Sequence, residues 1–242
     1  MSRSSDGLKQ RMTDYWTRRA AEFGALRLKE FRSAKHELWM RELRRFIPEG
    51  KGLRILDLGT GTGFFSFLLA AEGHQVTGID MTPDMIAEAK ETSRILGVFP
   101  EFFVMDAEKP EFPPESFDVL VTRNLTWSLP HLREAYKAWH QLLKPGGMLI
   151  NFDGDYCREK EPEKLPANHA HKKIKTEMMA EYQQFKEELK AGQKPRPQWD
   201  EELLKNAGFT EIQNDPGVWR RIYGEEDEFY NPTPIFLLTA RA

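Results

Sequence analysis

Residues Ile55-Leu56-Asp57-Leu58-Gly59-Thr60-Gly61-Thr62-Gly63 constrain the fold of this chain more than any other stretch. A short apolar run ends at an acidic residue and then meets glycines at alternate positions. Phe64, Phe65, Phe67, Leu68, Leu69 and Ala70 follow directly, enough apolar length for a buried helix. The pattern predicts strand, tight turn and helix. Without Cβ atoms in the way, the turn backbone can approach a nucleotide-like ligand. A dinucleotide-binding turn has the spacing G-x-G-x-x-G. Its third glycine would fall at position 64, which is Phe64, so a nicotinamide-dinucleotide reading fails there.

The rest of the chain repeats the strand–helix alternation. Strands are expected at Arg54–Leu58, Gln75–Ile79, Glu101–Met105, Phe117–Thr122 and Met148–Phe152. Helices are expected at Met85–Leu96, entered through Thr82-Pro83-Asp84, and at His131–Leu143, ended by Lys144-Pro145-Gly146-Gly147. Such alternation implies a parallel sheet covered by helices on both faces. Residues 8 to 46 read as a helical segment closed by Pro48-Glu49-Gly50. Residues 153 to 200 break the rhythm as a charged insertion, with a helix from Lys172 to Lys190 and a Pro-rich exit at Lys194-Pro195-Arg196-Pro197. Trp199–Ala207 then reads as a helix, Phe209–Gln213 as strand six, and Ile235–Ala240 as an antiparallel terminal strand. The expected fold is α/β: a doubly wound, mostly parallel seven-stranded sheet. It carries N-terminal helices over residues 1–50, a main domain over 51–242, and the insertion at about 153–200 between strands five and six.

Charge narrows the partners. The chain of 242 residues has 35 basic and 38 acidic side chains, a net charge of −3. That leaves no basic footprint for nucleic acid or an anionic membrane. Arg41, Arg44 and Arg45 read as a solvated helix face. Met1 to Gln10 lacks an apolar signal core, and no run approaches the ~20 apolar residues of a membrane span. A cytoplasmic protein is the resulting expectation. The single cysteine, Cys157, excludes an intramolecular disulfide and a thiolate zinc cluster.

Ordered motifs in this chain resemble the class I S-adenosylmethionine-dependent methyltransferases, continuously from about residue 53 to 152. They are Asp57-Leu58-Gly59-Thr60-Gly61-Thr62-Gly63; Val76-Thr77-Gly78-Ile79-Asp80 with Met81-Thr82-Pro83-Asp84-Met85; Phe103-Val104-Met105-Asp106-Ala107-Glu108; and Phe117-Asp118-Val119-Leu120-Val121-Thr122 with the later Leu143-Lys144-Pro145-Gly146-Gly147. The resemblance implies S-adenosyl-L-methionine as cofactor. Asp80, 17 residues after Gly63, would take the ribose hydroxyls. Met81 would lie against the adenine ring, Asp106 would accept from its amino group, and the Ala107 N–H would meet a ring nitrogen. Gly59 would turn its carbonyl to the methionine ammonium, and Gly61 would let the chain pass close by. Asp57 would act beside them, directly or through water, or else serve the turn alone by bonding its amides. Arg123 and Asn124 would touch the methionine part. Tyr15 and Trp16 are expected in a lid over the cofactor or, alternatively, on an ordinary packed helix face.

The acceptor pocket is expected from the loop Asn124–His131, from Asp153-Gly154-Asp155-Tyr156, from the insertion and from the N-terminal helix. Trp127 would wall an apolar or aromatic substrate or pack in the core, and Asp155 and Tyr156 are further substrate-contact candidates. Asp153, Asp155 and His131 are the candidates for a catalytic base. The two aspartates equally suit loop residues bonded to their own backbone, and His131 suits a cap or a solvent-facing position. His169 and His171 would face different sides of a helix and lack a third ligand, so no metal is expected. The reading that follows is methyl transfer to a small-molecule acceptor at O, N, S or C. The alternatives are a methyltransferase acting on protein or RNA and a non-catalytic cofactor binder. The N-P-P-[YF] signature of amide and base N-methylation is absent; Arg123-Asn124-Leu125-Thr126 stands there instead.

Overall fold

A computed structural model of the chain describes residues 2–47, 52–158, 176–190 and 192–242. The Pro48-Glu49-Gly50 stop, His169 and His171, and the first residues of the expected insertion helix lie outside them. The chain begins with α1 (Ser2–Phe31) and α2 (Lys35–Arg44). The alternating part then runs β1 (Arg54–Leu58), α3 (Phe64–Ala71), β2 (Gln75–Asp80), α4 (Pro83–Leu96), β3 (Glu101–Val104) and β4 (Phe117–Arg123). A single 3-10 turn at Thr126–Ser128, α5 (Leu132–Leu142) and β5 (Leu143–Gly154) follow. Last come α6 (Thr176–Lys190), α7 (Gln198–Ala207), β6 (Thr210–Asp215), α8 (Val218–Tyr223) and β7 (Ile235–Arg241).

The strands form one seven-stranded sheet in the order β3-β2-β1-β4-β5-β7-β6. β1 pairs in parallel with both β2 and β4, and β7 runs antiparallel between β5 and β6. Strand order reverses between β1 and β4, which opens a crevice at the carboxyl ends of the strands. The sequence explains the doubly covered sheet. In β4, Val119 and Val121 face one core and Leu120 the other; in β5, Ile150 and Phe152 face the first and Leu149 the second. Continuous apolar runs of this kind suit strands buried on both faces. No helix among the described residues is long and apolar enough to cross a membrane.

Two boundaries differ from the sequence reading. The N-terminal helical segment is two helices, because Ser33 competes for the backbone: its Oγ donates to the Glu30 carbonyl at 2.7 Å and accepts from the Lys35 N–H at 3.1 Å. β5 starts directly after α5 rather than at Met148. Leu143 already pairs with Phe117, and a register shift separates that pair from Val119–Met148. The short helix α8 was not foreseen. It buries Val218, Ile222 and Tyr223.

Candidate active site

A cavity of about 570 Å³ lies at the switch point. Its floor comes from the β1 turn and the tips of β2, β3 and β4. Residues of α1, α6 and α8, the loop 124–130, Tyr156 and the segment 228–233 contribute further wall. The turn holds left-handed backbone at Gly59 and Gly61, with φ of 64° and 53°. A Cβ on Gly59 would meet Leu125 Cδ1 at 2.6 Å, so this position excludes side chains by both conformation and space.

Asp57, next to last in β1, bonds to groups of the following turn and helix. Its Oδ2 accepts from Thr60 Oγ1 at 2.6 Å, from the Ser66 N–H at 3.0 Å and from Ser66 Oγ at 2.7 Å. Burial pushes its carboxyl up to about 6, against the pull of those hydrogen bonds. Asp57 also lines the cavity. Asp80 ends β2 with each oxygen fixed by backbone: Oδ2 accepts from the Gly61 N–H at 3.0 Å and Oδ1 from the Thr82 N–H at 2.9 Å. Burial raises it above the ordinary carboxylate range despite these bonds. Asp106, beyond β3, accepts the Glu108 N–H at 2.8 Å and pairs with Lys9 Nζ at 2.6 Å. Lys9 also pairs with Glu108. Burial opposes the Lys9 charge, but the bonds to Asp106 and Glu108 outweigh it and raise the ammonium above its ordinary value. Met81 and Ala107 line the same cavity.

Arg123, the last residue of β4, turns its side chain into a buried cluster. Its guanidinium donates to Glu30 Oε1 at 2.9 Å and Oε2 at 3.3 Å and to Tyr223 Oη at 3.1 Å, and it lies 4.2 Å from the ring centre of Trp39. Asn124 follows in left-handed conformation, φ 56°. Its Oδ1 accepts from Tyr156 Oη at 2.9 Å, and Asn231 Nδ2 donates to that same hydroxyl at 2.8 Å. Burial keeps the Tyr156 hydroxyl protonated well above the ordinary tyrosine range.

Trp127 is held by all its polar groups. Its N–H donates to Asp153 Oδ2 at 3.0 Å, its carbonyl accepts from Gln193 Nε2 at 2.8 Å, and its indole N–H donates to the Asn124 carbonyl at 3.1 Å. The ring lines the cavity and packs against Tyr156 and Tyr182 at 5.6 and 5.5 Å between centres.

The sequence-derived residues therefore divide. Asp57, Gly59, Gly61, Asp80, Met81, Asp106, Ala107, Arg123, Asn124, Trp16, Trp127 and Tyr156 share one cavity. Tyr15 does not: it is buried in the core, stacked on Tyr182 and edge-on to Phe185. The base candidates also stand off the cavity wall. Asp153 is fully buried, bonded to Thr126 and the Trp127 and Gly154 amides and 3.6 Å from Arg196. Asp155 accepts the N–H of Arg196, 41 residues later, and pairs with Arg158, rather than bonding its own loop backbone as the alternative had it. His131 is exposed, and its N–H donates to Glu108. Burial raises the Cys157 thiol to about 11, so it carries no thiolate near neutral pH.

Sequence reasoning missed Lys9, Arg27, Glu30, Tyr182, Tyr223 and Asn231. All but Glu30 line the cavity, and Glu30 stands behind Arg27 and Arg123. They come from α1, α6, α8 and the segment before β7, where charged helices and loops carry no motif. The one available signal was an acid, Glu30, amid the aromatic residues Phe23, Phe31 and Trp39.

Comparison with known proteins bears on the domain and its fold. Residues 56–151 match a family described as a methyltransferase domain. Phosphoethanolamine N-methyltransferase 3 of Arabidopsis thaliana is 34% identical over 108 residues, covering 44% of this chain and 22% of that protein. Ubiquinone biosynthesis O-methyltransferase of Pseudomonas aeruginosa is 32% identical over 137 residues, covering 50% of this chain and 59% of that protein. The chain thus spans between about a fifth and three fifths of these curated relatives. Among solved structures, an S-adenosylmethionine-dependent methyltransferase from Mesorhizobium loti shares the fold. Its TM-score is 0.61 at 22% identity, covering 85% of this chain and 98% of that one.

Proposed function

We propose that this chain, whose residues 56–151 match a methyltransferase-domain family, is a class I S-adenosylmethionine-dependent methyltransferase that transfers a methyl group from S-adenosyl-L-methionine to a small-molecule acceptor. One observation carries the reading. Asp80 and Asp106, from neighbouring strand tips, line the same cavity as the Gly59–Gly61 turn. The residues suit the cofactor. Each Asp80 oxygen has one backbone partner, and a carboxylate has about four acceptor sites, so capacity remains for two ribose hydroxyls. In this reading Asp106 would accept from the adenine amino group, Met81 and Ala107, which line the same cavity, would flank the ring, and Arg123 and Asn124 at the β4 tip would meet the methionine half.

Bound there, the sulfonium supplies an activated methyl group and a good leaving group. The chain supplies placement. Trp127, fixed at its amide, carbonyl and indole, presents a rigid wall for an apolar or aromatic acceptor. Tyr156, protonated and locked between Asn124 and Asn231, donates and accepts but takes no proton. Lys9, Trp16 and Arg27 on α1 form one wall of the cavity. The small-molecule acceptors named for the relatives and a cavity of about 570 Å³ support the small-molecule assignment.

Calorimetric titration with S-adenosylhomocysteine tests the reading. The wild type binds, and Asp80→Asn binds about 10–100-fold more weakly, the effect of weakening charge-assisted hydrogen bonds. Equal affinity of the two proteins, or no binding to either, refutes it.

A further inference from the structure

The cluster behind Arg123 is out of charge balance. Glu30, with 0% of its side chain exposed, is the carboxylate that both Arg27 and Arg123 contact. Its four acceptor sites are filled. Oε1 takes Trp39 Nε1 at 3.0 Å and one Arg123 N–H at 2.9 Å, and Oε2 takes the other Arg123 nitrogen at 3.3 Å and Arg27 Nη1. Two guanidiniums therefore share one negative charge, leaving one net positive charge inside the protein.

The arginines also keep donors in hand. Arg123 is 10% exposed, and its Nε is buried without a hydrogen-bond partner. Arg27 donates from Nη1 to Glu30, while its guanidinium lies 4.6 Å over the Phe23 ring. Both arginines line the cavity. The shifts of the two arginines differ: burial lowers Arg27, whereas Glu30 and Tyr223 raise Arg123 against burial, and both arginines draw Glu30 down to about 2 despite its own burial. A buried, unbalanced cation is costly unless an anion completes it, and a guanidinium fork fits a carboxylate.

We propose that Arg27 and Arg123 form an anion subsite that takes one carboxylate-type group of a ligand in the cavity. The inference rests on the methyltransferase reading for the identity of that ligand. The group is either the amino-acid carboxylate of the cofactor or an acidic substituent of the acceptor. Because Arg27 belongs to α1 and Arg123 to the sheet, the anion also joins the covering helix to the strand tips.

The test measures dissociation constants by calorimetry for wild type, Arg27→Gln and Arg27→Lys, each checked for folding by circular dichroism and melting. The first arm compares S-adenosylhomocysteine with its decarboxylated analogue. The second titrates benzoate into the protein saturated with S-adenosylhomocysteine. If the cofactor supplies the anion, the wild type prefers the carboxylated compound by about tenfold or more, and Arg27→Gln loses that preference while binding the analogue unchanged. If the acceptor supplies it, the preference is absent, but benzoate binds the wild type and about tenfold more weakly to Arg27→Gln. Should Arg27→Gln not fold, Arg27→Lys, which keeps the charge but not the fork, shows the same direction with a smaller change. Indistinguishable wild type and variant in both arms overturn the subsite. If neither adenosyl compound binds the wild type, the methyltransferase reading fails, and benzoate binding to the unliganded proteins decides the subsite alone.

Discussion

Ionising Asp57 works against folding, because burial penalises the charged form more than the Thr60 and Ser66 bonds favour it. Its folded value of about 6 lies above the ordinary 3.8. Between those values the native state holds a proton that the unfolded chain has released, so this contribution is full below about 4 and disappears as pH rises through about 6. Asp57→Asn removes the titration. We expect the wild type to lose stability relative to Asp57→Asn between pH 4 and 7, by on the order of 2–3 kcal/mol, measured by urea unfolding at both pH values. A flat difference contradicts the argument. Gly59 fails differently under substitution: Gly59→Ala forces a left-handed alanine whose Cβ lies 2.6 Å from Leu125 Cδ1. Leu125 is a movable side chain, so the backbone term dominates. The expected loss is about 1–2 kcal/mol in the same assay, with weakened S-adenosylhomocysteine binding because the turn shifts.

At the scale of elements, the exit of the insertion is fastened to the acceptor-side loop by charge. Arg196, at 0% exposure, donates to both oxygens of Asp200 at 2.8 and 2.5 Å and to Thr126 Oγ1 at 2.5 Å, and lies 3.6 Å from Asp153. Tyr136 on α5 and Asn151 on β5 complete the network. Thus α7, β5, α5 and the 3-10 turn carrying Trp127 meet in one polar knot. Buried ion pairs add little net stability over apolar packing, but removing one partner strands the others. Arg196→Met leaves Asp153 and Asp200 without their cation. We expect about 3–5 kcal/mol of destabilisation near neutral pH by urea unfolding, shrinking toward pH 4 as the buried Asp153, already raised by burial, takes up a proton. A loss that is equal at both pH values argues for a packing defect instead. The arginines tying α1 to α6 are the opposite case: Arg11–Glu188 and Arg18–Glu181 are partly exposed pairs, each worth under about 1 kcal/mol.

For the whole molecule, what the sequence revealed and what it hid have one physical origin. The sheet was readable because parallel strands buried on both faces write continuous apolar runs, as in Val119–Val121, and because the β1 turn demands glycine. Asp80 and Asp106 were readable because their places are set by strand ends, a local property. Arg27, Glu30 and Tyr223 were not, since two elements far apart in sequence, α1 and α8, bring them together and neither carries a periodic signal for it. Asp153 was readable only in part for a related reason: its bond to the neighbouring Gly154 amide is local and stood among its alternatives, whereas Arg196, 43 residues later and 3.6 Å away, leaves no local trace. The same division governs how a ligand acts on the fold. Strand-tip residues and α1 residues line one cavity, so a ligand bridging them stabilises elements distant in sequence together. At 100 times its dissociation constant, S-adenosylhomocysteine adds about 2.7 kcal/mol, or a melting shift of roughly 5–10 °C for a chain of this length. The amides of α1 between Lys9 and Arg27 should then exchange more slowly, whereas those of β6, at the far edge of the sheet, respond only through global stability. Slowing confined to the β1 turn, with α1 unchanged, would place the ligand on the sheet alone and remove α1 from its binding.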